Sequence, residues 1–109
     1  MSAYCLITTT TDSQAEADRL AEMLVSEGLA ACVQITQVRS VYTWQDALQK
    51  DEEWLLLIKT RAALYPKIEA ALQEQHSYDT PEIISMPITG GAAAYLAWVD
   101  ETTIDGEDS

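Results

Sequence analysis

The five residues Trp54-Leu55-Leu56-Leu57-Ile58 form an uninterrupted apolar run near the middle of the 109-residue chain. Successive side chains of a β-strand point to opposite faces of the sheet, so a strand with one face in water alternates apolar and polar residues. This run is apolar on both faces, which predicts a strand that is covered on both sides. The helices that the remaining sequence can form suffice for one side of a small sheet. We therefore expect a neighbouring subunit to cover the other side, with the chain's own loops as the alternative.

Three further segments predict the strands that pair with this run. Residues 4–10 are rich in β-branched and apolar side chains and predict the first strand. Residues 31–44 predict a second, unusually long strand, with a bulge at 36–37 where the alternation is interrupted. Polarity rises around residues 46–50, which predicts the turn of a hairpin that leads into the apolar run. Residues 82–86 predict a short fourth strand.

The first helix carries signals at both of its ends. Ser13 and Glu16 have the spacing of a capping box, in which each side chain bonds the backbone N–H of the other residue. Gly28 suits the position just after the last helical turn. Apolar residues at helical spacing between these ends predict a buried stripe that consists of Ala17, Leu20, Ala21 and Leu24.

Two more helices are predicted in the second half of the chain. Thr60 can cap a turn over residues 61–64, and Pro66 fits the first turn of the helix that follows. The predicted inner stripe of that helix consists of Ile68, Ala71, Leu72 and Gln75. Gly90-Gly91 then precedes a last helix, which carries Tyr95, Trp98 and Val99.

The order strand, helix, strand, strand, helix, strand predicts an α+β architecture, the ferredoxin-like βαββαβ sandwich, in which two helices pack on one face of an antiparallel sheet. The C-terminal helix is an addition to that arrangement. We expect one domain over residues 1–104 and an acidic, disordered tail over residues 105–109. The fold by itself assigns no function, because many unrelated functions use it.

Composition argues against several classes of partner. Eighteen acidic and six basic side chains give a net charge of -12, which repels phosphate backbones and anionic membrane surfaces, so we expect no nucleic-acid partner. No segment reaches the roughly 18 to 20 apolar residues that span a bilayer, and the N-terminus lacks the basic region of a signal peptide. The sequence therefore predicts a cytoplasmic protein without membrane insertion. Cys5 and Cys32 lie in apolar strand segments, where free thiols behave as small hydrophobic groups.

The sequence contains no complete catalytic motif. It has no GxSxG elbow, no glycine-rich phosphate loop and no HExxH pair. His76 is the single histidine, and Tyr78, Asp79 and Glu82 follow it closely. These side chains could supply acid and base groups, but no hydroxyl or thiol nucleophile has an assignable base. We therefore expect that the protein is not an enzyme.

Five segments share their order and spacing with one known family. They are Gly28-Leu29-Ala30-Ala31-Cys32-Val33, Ser40-Val41-Tyr42-Thr43-Trp44, Leu56-Leu57-Ile58-Lys59-Thr60, His76-Ser77-Tyr78-Asp79-Thr80-Pro81-Glu82-Ile83 and Tyr95-Leu96-Ala97-Trp98. Together they resemble the CutA family, the divalent-cation tolerance proteins. The resemblance extends over about residues 3–101, and five motifs in register are far more specific than any one of them.

The resemblance implies a cytoplasmic homotrimer that takes part in the response to metal ions, with copper bound by some members. The architecture is also similar to that of nitrogen-regulatory PII trimers, which implies an alternative: a signalling module that binds a small ligand or a protein partner between subunits. Both functions place the site in a cleft between subunits. The expected site residues are Tyr42, Trp44, Lys59, His76, Tyr78 and Glu82. For Tyr42 and Trp44, burial in a subunit interface is the equally open alternative.

The metal-binding pattern of the family is incomplete in this sequence. Copper ligation in the family is attributed to a cysteine at the end of the first strand and to a histidine pair. Here the first strand ends in threonines, Cys5 lies too early in it to match, and Gln75 precedes His76. Ser77 and Asp79 also replace a usual proline and glutamate. As a ligand for copper or another divalent cation only His76 carries over, and its alternative role is a hydrogen bond that stabilises the trimer.

Structural roles are open for three other prominent residues. Trp54 and Trp98 are large aromatic side chains that fit burial in the core or in an interface. Lys59 interrupts the apolar strand directly after Ile58. Its ammonium group can reach solvent at the sheet edge or pair with an acid such as Glu82.

Overall fold

The computed structural model describes residues 2–105, which form one four-stranded sheet and three helices. The elements are β1 (Tyr4–Thr11), α1 (Gln14–Ser26), β2 (Cys32–Trp44), β3 (Ala47–Arg61), α2 (Tyr65–Gln75), β4 (Ile84–Ile88) and α3 (Ala93–Thr102), with a 3-10 turn at Ala62–Leu64 before α2. The strand order is β2-β3-β1-β4, and all neighbouring strands are antiparallel. The predicted ferredoxin-like βαββαβ architecture with an added C-terminal helix is confirmed. Within residues 2–105, no helix is long and apolar enough to cross a membrane.

The hydrophobic core lies between one face of the sheet and the helices α1 and α2. We call this the first face; it carries Cys5, Ile7, Leu56 and Ile58. The predicted stripe of α1 is buried, as are Ile68 and Leu72 of α2, whereas Ala71 is half-buried and Gln75 is exposed. Pro66 lies in the first turn of α2 as predicted, where its missing N–H costs no helical hydrogen bond.

The β2–β3 hairpin is longer and more regular than the sequence pattern predicts. Its register runs without interruption from the pair Cys32 and Lys59 to the pair Trp44 and Ala47, so the bulge predicted at 36–37 is wrong. The predicted hairpin is confirmed, but its turn does not extend over residues 46–50. Gln45 and Asp46 form the turn, with φ of 52° and 63°, the left-handed conformation that joins twisted antiparallel strands through two residues.

The polarity of residues 46–50 has a different cause from the one expected. The end of the hairpin extends beyond the domain and gives the subunit extents of 44 × 26 × 22 Å. Both faces of the strands are exposed there, so polar side chains are tolerated without a turn. Polarity in this segment therefore marks solvent exposure of a continuous strand.

Three local predictions differ from the structure or hold in part. The Thr60 hydroxyl donates to the Leu29 carbonyl at 2.6 Å, so Thr60 does not cap the following turn. β4 begins at Ile84 and not at residue 82, since its pairing with β1 ends where Ile84 meets Thr8. The Ser13 hydroxyl accepts from the Glu16 N–H at 3.0 Å, as predicted. The Glu16 carboxylate, however, bonds Thr11 and not Ser13.

The opposite face of the sheet, which we call the second face, is only partly covered. The helix α3 packs at one end of it, where the Tyr4 hydroxyl donates to Asp100 at 2.8 Å. Leu55 and Leu57 of the apolar run are half-buried on this face, and Ile84 is 52% exposed. Within one subunit, the apolar run of β3 is therefore fully covered on the first face only.

Gly28 joins the end of α1 to the segment that follows α3. Its φ of +73° is a conformation that glycine adopts without strain. The Ile104 N–H donates to the Gly28 carbonyl at 2.8 Å, and an added Cβ at Gly28 would lie 2.8 Å from the Ile104 side chain. Both the backbone angle and this close approach therefore require glycine. Most of the predicted disordered tail, residues 106–109, lies outside the described residues.

Candidate functional site

A cavity of about 580 Å³ opens between the β2–β3 hairpin and the segment that joins α2 to β4. The principal side chains of its wall are aromatic or acidic: Tyr42, Trp44, Glu53, Tyr78, Asp79 and Glu82. Clefts of about 300–1,000 Å³ commonly hold small ligands. We call this space the aromatic–acidic cavity.

Strand register explains why these side chains meet. Tyr42 and Trp44 lie on the second face of β2, since they are an even number of residues from Val38. Glu53 of β3 lies opposite Val38 and therefore on the same face. Thr10 of β1 lies opposite Leu55 and therefore shares this second face. The segment after α2 then adds Tyr78, Asp79 and Glu82 from the far side. The sheet thus supplies one wall of the cavity and a loop supplies the other.

Four of the six predicted site residues line this cavity: Tyr42, Trp44, Tyr78 and Glu82. Lys59 does not; its ammonium nitrogen lies 5.8 Å from the centroid of the Tyr95 ring, in a cation–π contact. Glu82 accepts a hydrogen bond from the Thr8 hydroxyl at 3.1 Å. Lys59 is therefore held by α3, and the structure shows Glu82 with Thr8 in place of the Lys59 partner considered from the sequence.

His76 is the sixth predicted site residue, and its side chain is fully buried beneath the cavity wall. Its Nε2 lies 2.8 Å from the Thr10 carbonyl oxygen, and the Tyr78 N–H donates to its Nδ1 at 3.0 Å. A carbonyl only accepts, so Nε2 carries the proton and Nδ1 provides the lone pair. Both ring nitrogens are therefore occupied, and His76 does not line this cavity of the described subunit. Although His76 follows the end of a helix in a loop, its side chain is not accessible from the cavity.

Glu16 is a functional candidate that the sequence reasoning assigned only to helix capping. Its carboxylate accepts hydrogen bonds from the Thr11 hydroxyl at 2.5 Å, the Ser77 N–H at 2.8 Å and the Ser77 hydroxyl at 2.7 Å. It also lies 3.8 Å from Nδ1 of His76. These bonds fix the segment that carries Tyr78 against the end of β1. The departure from the family pattern at Ser77 thus supplies two donors where a proline would supply none.

The same contacts set the protonation of Glu16. Burial alone would raise the pKa of its carboxyl group, but the hydrogen bonds from Thr11 and Ser77 and the neighbouring His76 outweigh burial. The pKa of Glu16 is therefore lowered from its usual value. The carboxylate form is the one that the fold stabilises.

Glu53 and Asp51 are acidic residues of the hairpin that the sequence analysis missed. The Tyr78 hydroxyl donates to Glu53 at 2.8 Å, and the Tyr42 hydroxyl donates to Asp51. Burial and the adjacent Glu53 carboxylate both raise the pKa of Tyr78, so its hydroxyl keeps its proton. The signal that could have found them is the acidic run Asp51-Glu52-Glu53 directly before the apolar strand, whose alternation places Asp51 and Glu53 on one face.

A resident metal does not fit the residues of one subunit. Across residues 2–105, no group of three or more His, Cys, Asp or Glu side chains is arranged to hold a metal ion. Cys5 is buried in the core, and Cys32 is a half-buried free thiol at the start of β2. Since the His76 ring offers no free nitrogen, a copper centre cannot be assembled from the described residues in this arrangement.

Comparison with known proteins identifies a family. The family model described as "CutA1 divalent ion tolerance protein" matches residues 5–102. "Protein CutA, chloroplastic" of Arabidopsis thaliana is 45% identical over 86 residues, which are 78% of this chain and 47% of that protein. The "Divalent-cation tolerance protein CutA" of Thermus thermophilus is 41% identical over 95 residues, which are 86% of this chain and 92% of that protein. The chain thus spans about half the length of the plant relative and most of the bacterial one.

The solved structures that are similar to this chain belong to the same family as its sequence relatives. CutA1 from Oryza sativa has a TM-score of 0.92 at 38% identity and covers 95% of this chain and 96% of its own. The divalent cation tolerance protein of Thermus thermophilus has a TM-score of 0.88 at 39% identity and covers 92% of this chain and 98% of its own. Both the backbone and the sequence therefore resemble the same proteins.

Replacing Glu16 tests whether it anchors the cavity wall. We expect Glu16→Gln to lower the free energy of unfolding by about 2 kcal/mol at pH 7, because charged hydrogen bonds to Thr11 and Ser77 are weakened. The folded-state pKa of Glu16 is below its unfolded value of about 4.3. The stabilisation is therefore complete above that pH and is lost as pH falls through the folded value. Urea denaturation should show a larger difference from wild type at pH 7 than at pH 3.

Glu22→Gln is the matched control, since Glu22 is an exposed acid on the same helix. It should change the free energy of unfolding by less than about 0.5 kcal/mol at both pH values. Equal effects of the two substitutions at pH 7 would show that Glu16 is not a structural anchor.

Proposed function

Because the chain belongs to the CutA1 divalent ion tolerance family, we propose that it acts as a homotrimer in the response of the cell to divalent metal ions. The names of its relatives refer to tolerance of divalent cations and to no chemical reaction. The proposal accordingly assigns the protein no catalysis. It places the protein in the cytoplasm, supported by its two free cysteines, although relatives include chloroplastic and periplasmic proteins.

The observation that carries the trimer is the exposed apolar surface of the second face. Ile84 and Met86 of β4 are exposed, and Leu55 and Leu57 are half-buried on the same face, on the other side of β1. Trp98 of α3 is exposed as well. Several exposed large apolar side chains on one side of a folded subunit indicate an interaction site. A second copy of the chain offers the same surface, and symmetric association would bury it. The strand segment 54–58, which is apolar on both faces, is then covered on both faces.

The hairpin end supports the same assembly. Val41, Tyr42, Trp44 and Leu48 are exposed large apolar or aromatic side chains, and Trp44 is 56% exposed. They lie at the end of an arm that extends beyond its own domain. An arm of this kind can pack on a neighbouring subunit. The aromatic–acidic cavity would then lie beside a subunit boundary.

For copper and other divalent cations, we propose binding by carboxylates that different subunits bring together. The net charge of -12 concentrates cations near the surface, and Glu53, Asp79 and Glu82 line one open cavity. One subunit provides no cluster of metal ligands among its described residues. His76 is left out of this proposed binding set, because both of its ring nitrogens are occupied.

Placing a charge on the second face tests the function and the assembly together. We expect Ile84→Lys to convert the protein to a monomer, because a buried unpaired ammonium group is costly. In a host strain that lacks its own CutA protein, the wild type should restore growth in copper sulfate, whereas Ile84→Lys should not. Multi-angle light scattering gives the mass, and growth curves give the tolerance.

Val25→Lys is the control for this substitution. Val25 is 45% exposed, but it lies on α1, away from the second face. This variant should keep both the oligomer and the growth. An Ile84→Lys variant that remains an oligomer and restores growth would overturn the proposed interface.

His76 gives a second prediction. We expect His76→Gln to leave the affinity for Cu²⁺ within about twofold of wild type, because its ring is committed to Thr10 and Tyr78. Calorimetric titration with copper chloride measures the affinity, and light scattering of the same sample confirms the oligomer. A tenfold loss of affinity in an intact oligomer would make His76 a ligand after all.

A further inference from the structure

The wall of the aromatic–acidic cavity carries negative charge that no side chain of the wall balances. Glu53, Asp79 and Glu82 contribute carboxylates, and none of the ten residues that line the cavity is lysine, arginine or histidine. The protein as a whole is strongly acidic. The electrostatic complement of this cavity is therefore a cation.

Glu53 is the carboxylate of this wall that most needs a cationic partner. Glu53 is only 7% exposed, and its hydrogen-bond donor is the neutral Tyr78 hydroxyl. Within residues 2–105 it forms no ion pair. Burying a carboxylate without a positive partner is costly, and a bound cation would remove that cost.

Thr10 is an independent sign of a ligand in the same place. It is 8% exposed and lines the cavity from the second face of β1. Among residues 2–105 its hydroxyl makes no hydrogen bond, and the fully enclosed unbonded oxygen is Thr9 Oγ1, so the Thr10 hydroxyl is accessible from the cavity. A ligand N–H group in the cavity would give this hydroxyl a partner.

The aromatic side chains indicate what kind of cation fits. Tyr42, Trp44 and Tyr78 present ring surfaces, which attract alkylammonium groups through their π-electrons. The volume of about 580 Å³ is that of a small organic ligand and far exceeds a metal ion. The described residues also lack a metal-ligand cluster. The residues of one subunit therefore fit an organic cation, whereas the divalent cations proposed above need carboxylates from more than one subunit.

We propose that the aromatic–acidic cavity binds an organic ammonium cation. Its charged nitrogen lies against the Glu53 carboxylate and the Thr10 hydroxyl, and its alkyl part lies on the rings of Tyr42 and Trp44. This inference goes beyond the proposed function and rests on residues of one subunit. The sheet wall of the cavity lies on the second face, beside the proposed subunit boundary, so the test measures the oligomer together with binding.

Calorimetric titration with spermidine at 0.15 M NaCl tests the proposal. We expect one spermidine per subunit and no binding of 1,8-octanediol, an uncharged molecule of similar length. Glu53→Gln should weaken spermidine binding at least tenfold, because it removes the buried charge and can still accept from Tyr78. Glu52→Gln is the matched control: Glu52 lies next in the strand but faces the opposite side, where it bonds Gln37. It should change the affinity by less than twofold.

Thr10→Val provides a second variant in case Glu53→Gln does not fold. It keeps the side-chain shape, removes the hydroxyl and should weaken binding at least threefold. Two results would overturn the proposal: no spermidine binding to wild type, or equal affinity of the Glu53 and Glu52 variants. Light scattering of the same samples reports the oligomer separately.

Discussion

The long antiparallel pairing of β2 with β3 is the constraint on which the rest of the structure depends. One register holds from the pair Cys32 and Lys59 to the pair Trp44 and Ala47, and a two-residue left-handed turn closes it. This register brings Glu53 and Tyr42 to the same face and extends the hairpin beyond the core. A slip of one residue would move every side chain to the opposite face and would destroy both the core and the cavity.

The other wall of the cavity depends on a buried polar network. Glu16 at the start of α1 bonds Ser77, and the His76 imidazole links the Thr10 carbonyl to the Tyr78 backbone. These bonds join the first strand, the first helix and the segment after α2. Satisfied buried networks of this kind make a loop rigid. The single histidine thus works as a structural bridge, and the metal tolerance proposed for this chain has to be explained without it as an exposed ligand.

Much of the fold was accessible from the sequence because its signals are local. Helical spacing predicted the stripe of α1, the Ser13 cap fixed its start, and the order of elements predicted the sheet. The hairpin turn was misplaced because Gln45 and Asp46 adopt left-handed angles without a glycine to signal it. Four cavity residues were predicted through the family resemblance. Glu53 and Thr10 were missed because their importance comes from cross-strand register. The burial of His76 was not predicted because the sequence does not show which loop side chains are buried.

These features support one physical account: a subunit whose sheet is covered by its own helices on one face and by other copies of the chain on the second face. Sedimentation velocity of the wild-type protein between 1 and 100 μM tests this account most directly. Three chains of 12.0 kDa give 36 kDa, and the account predicts a single species of that mass across the range. A stable species of 12.0 kDa throughout would contradict it, because the apolar second face would then remain in water.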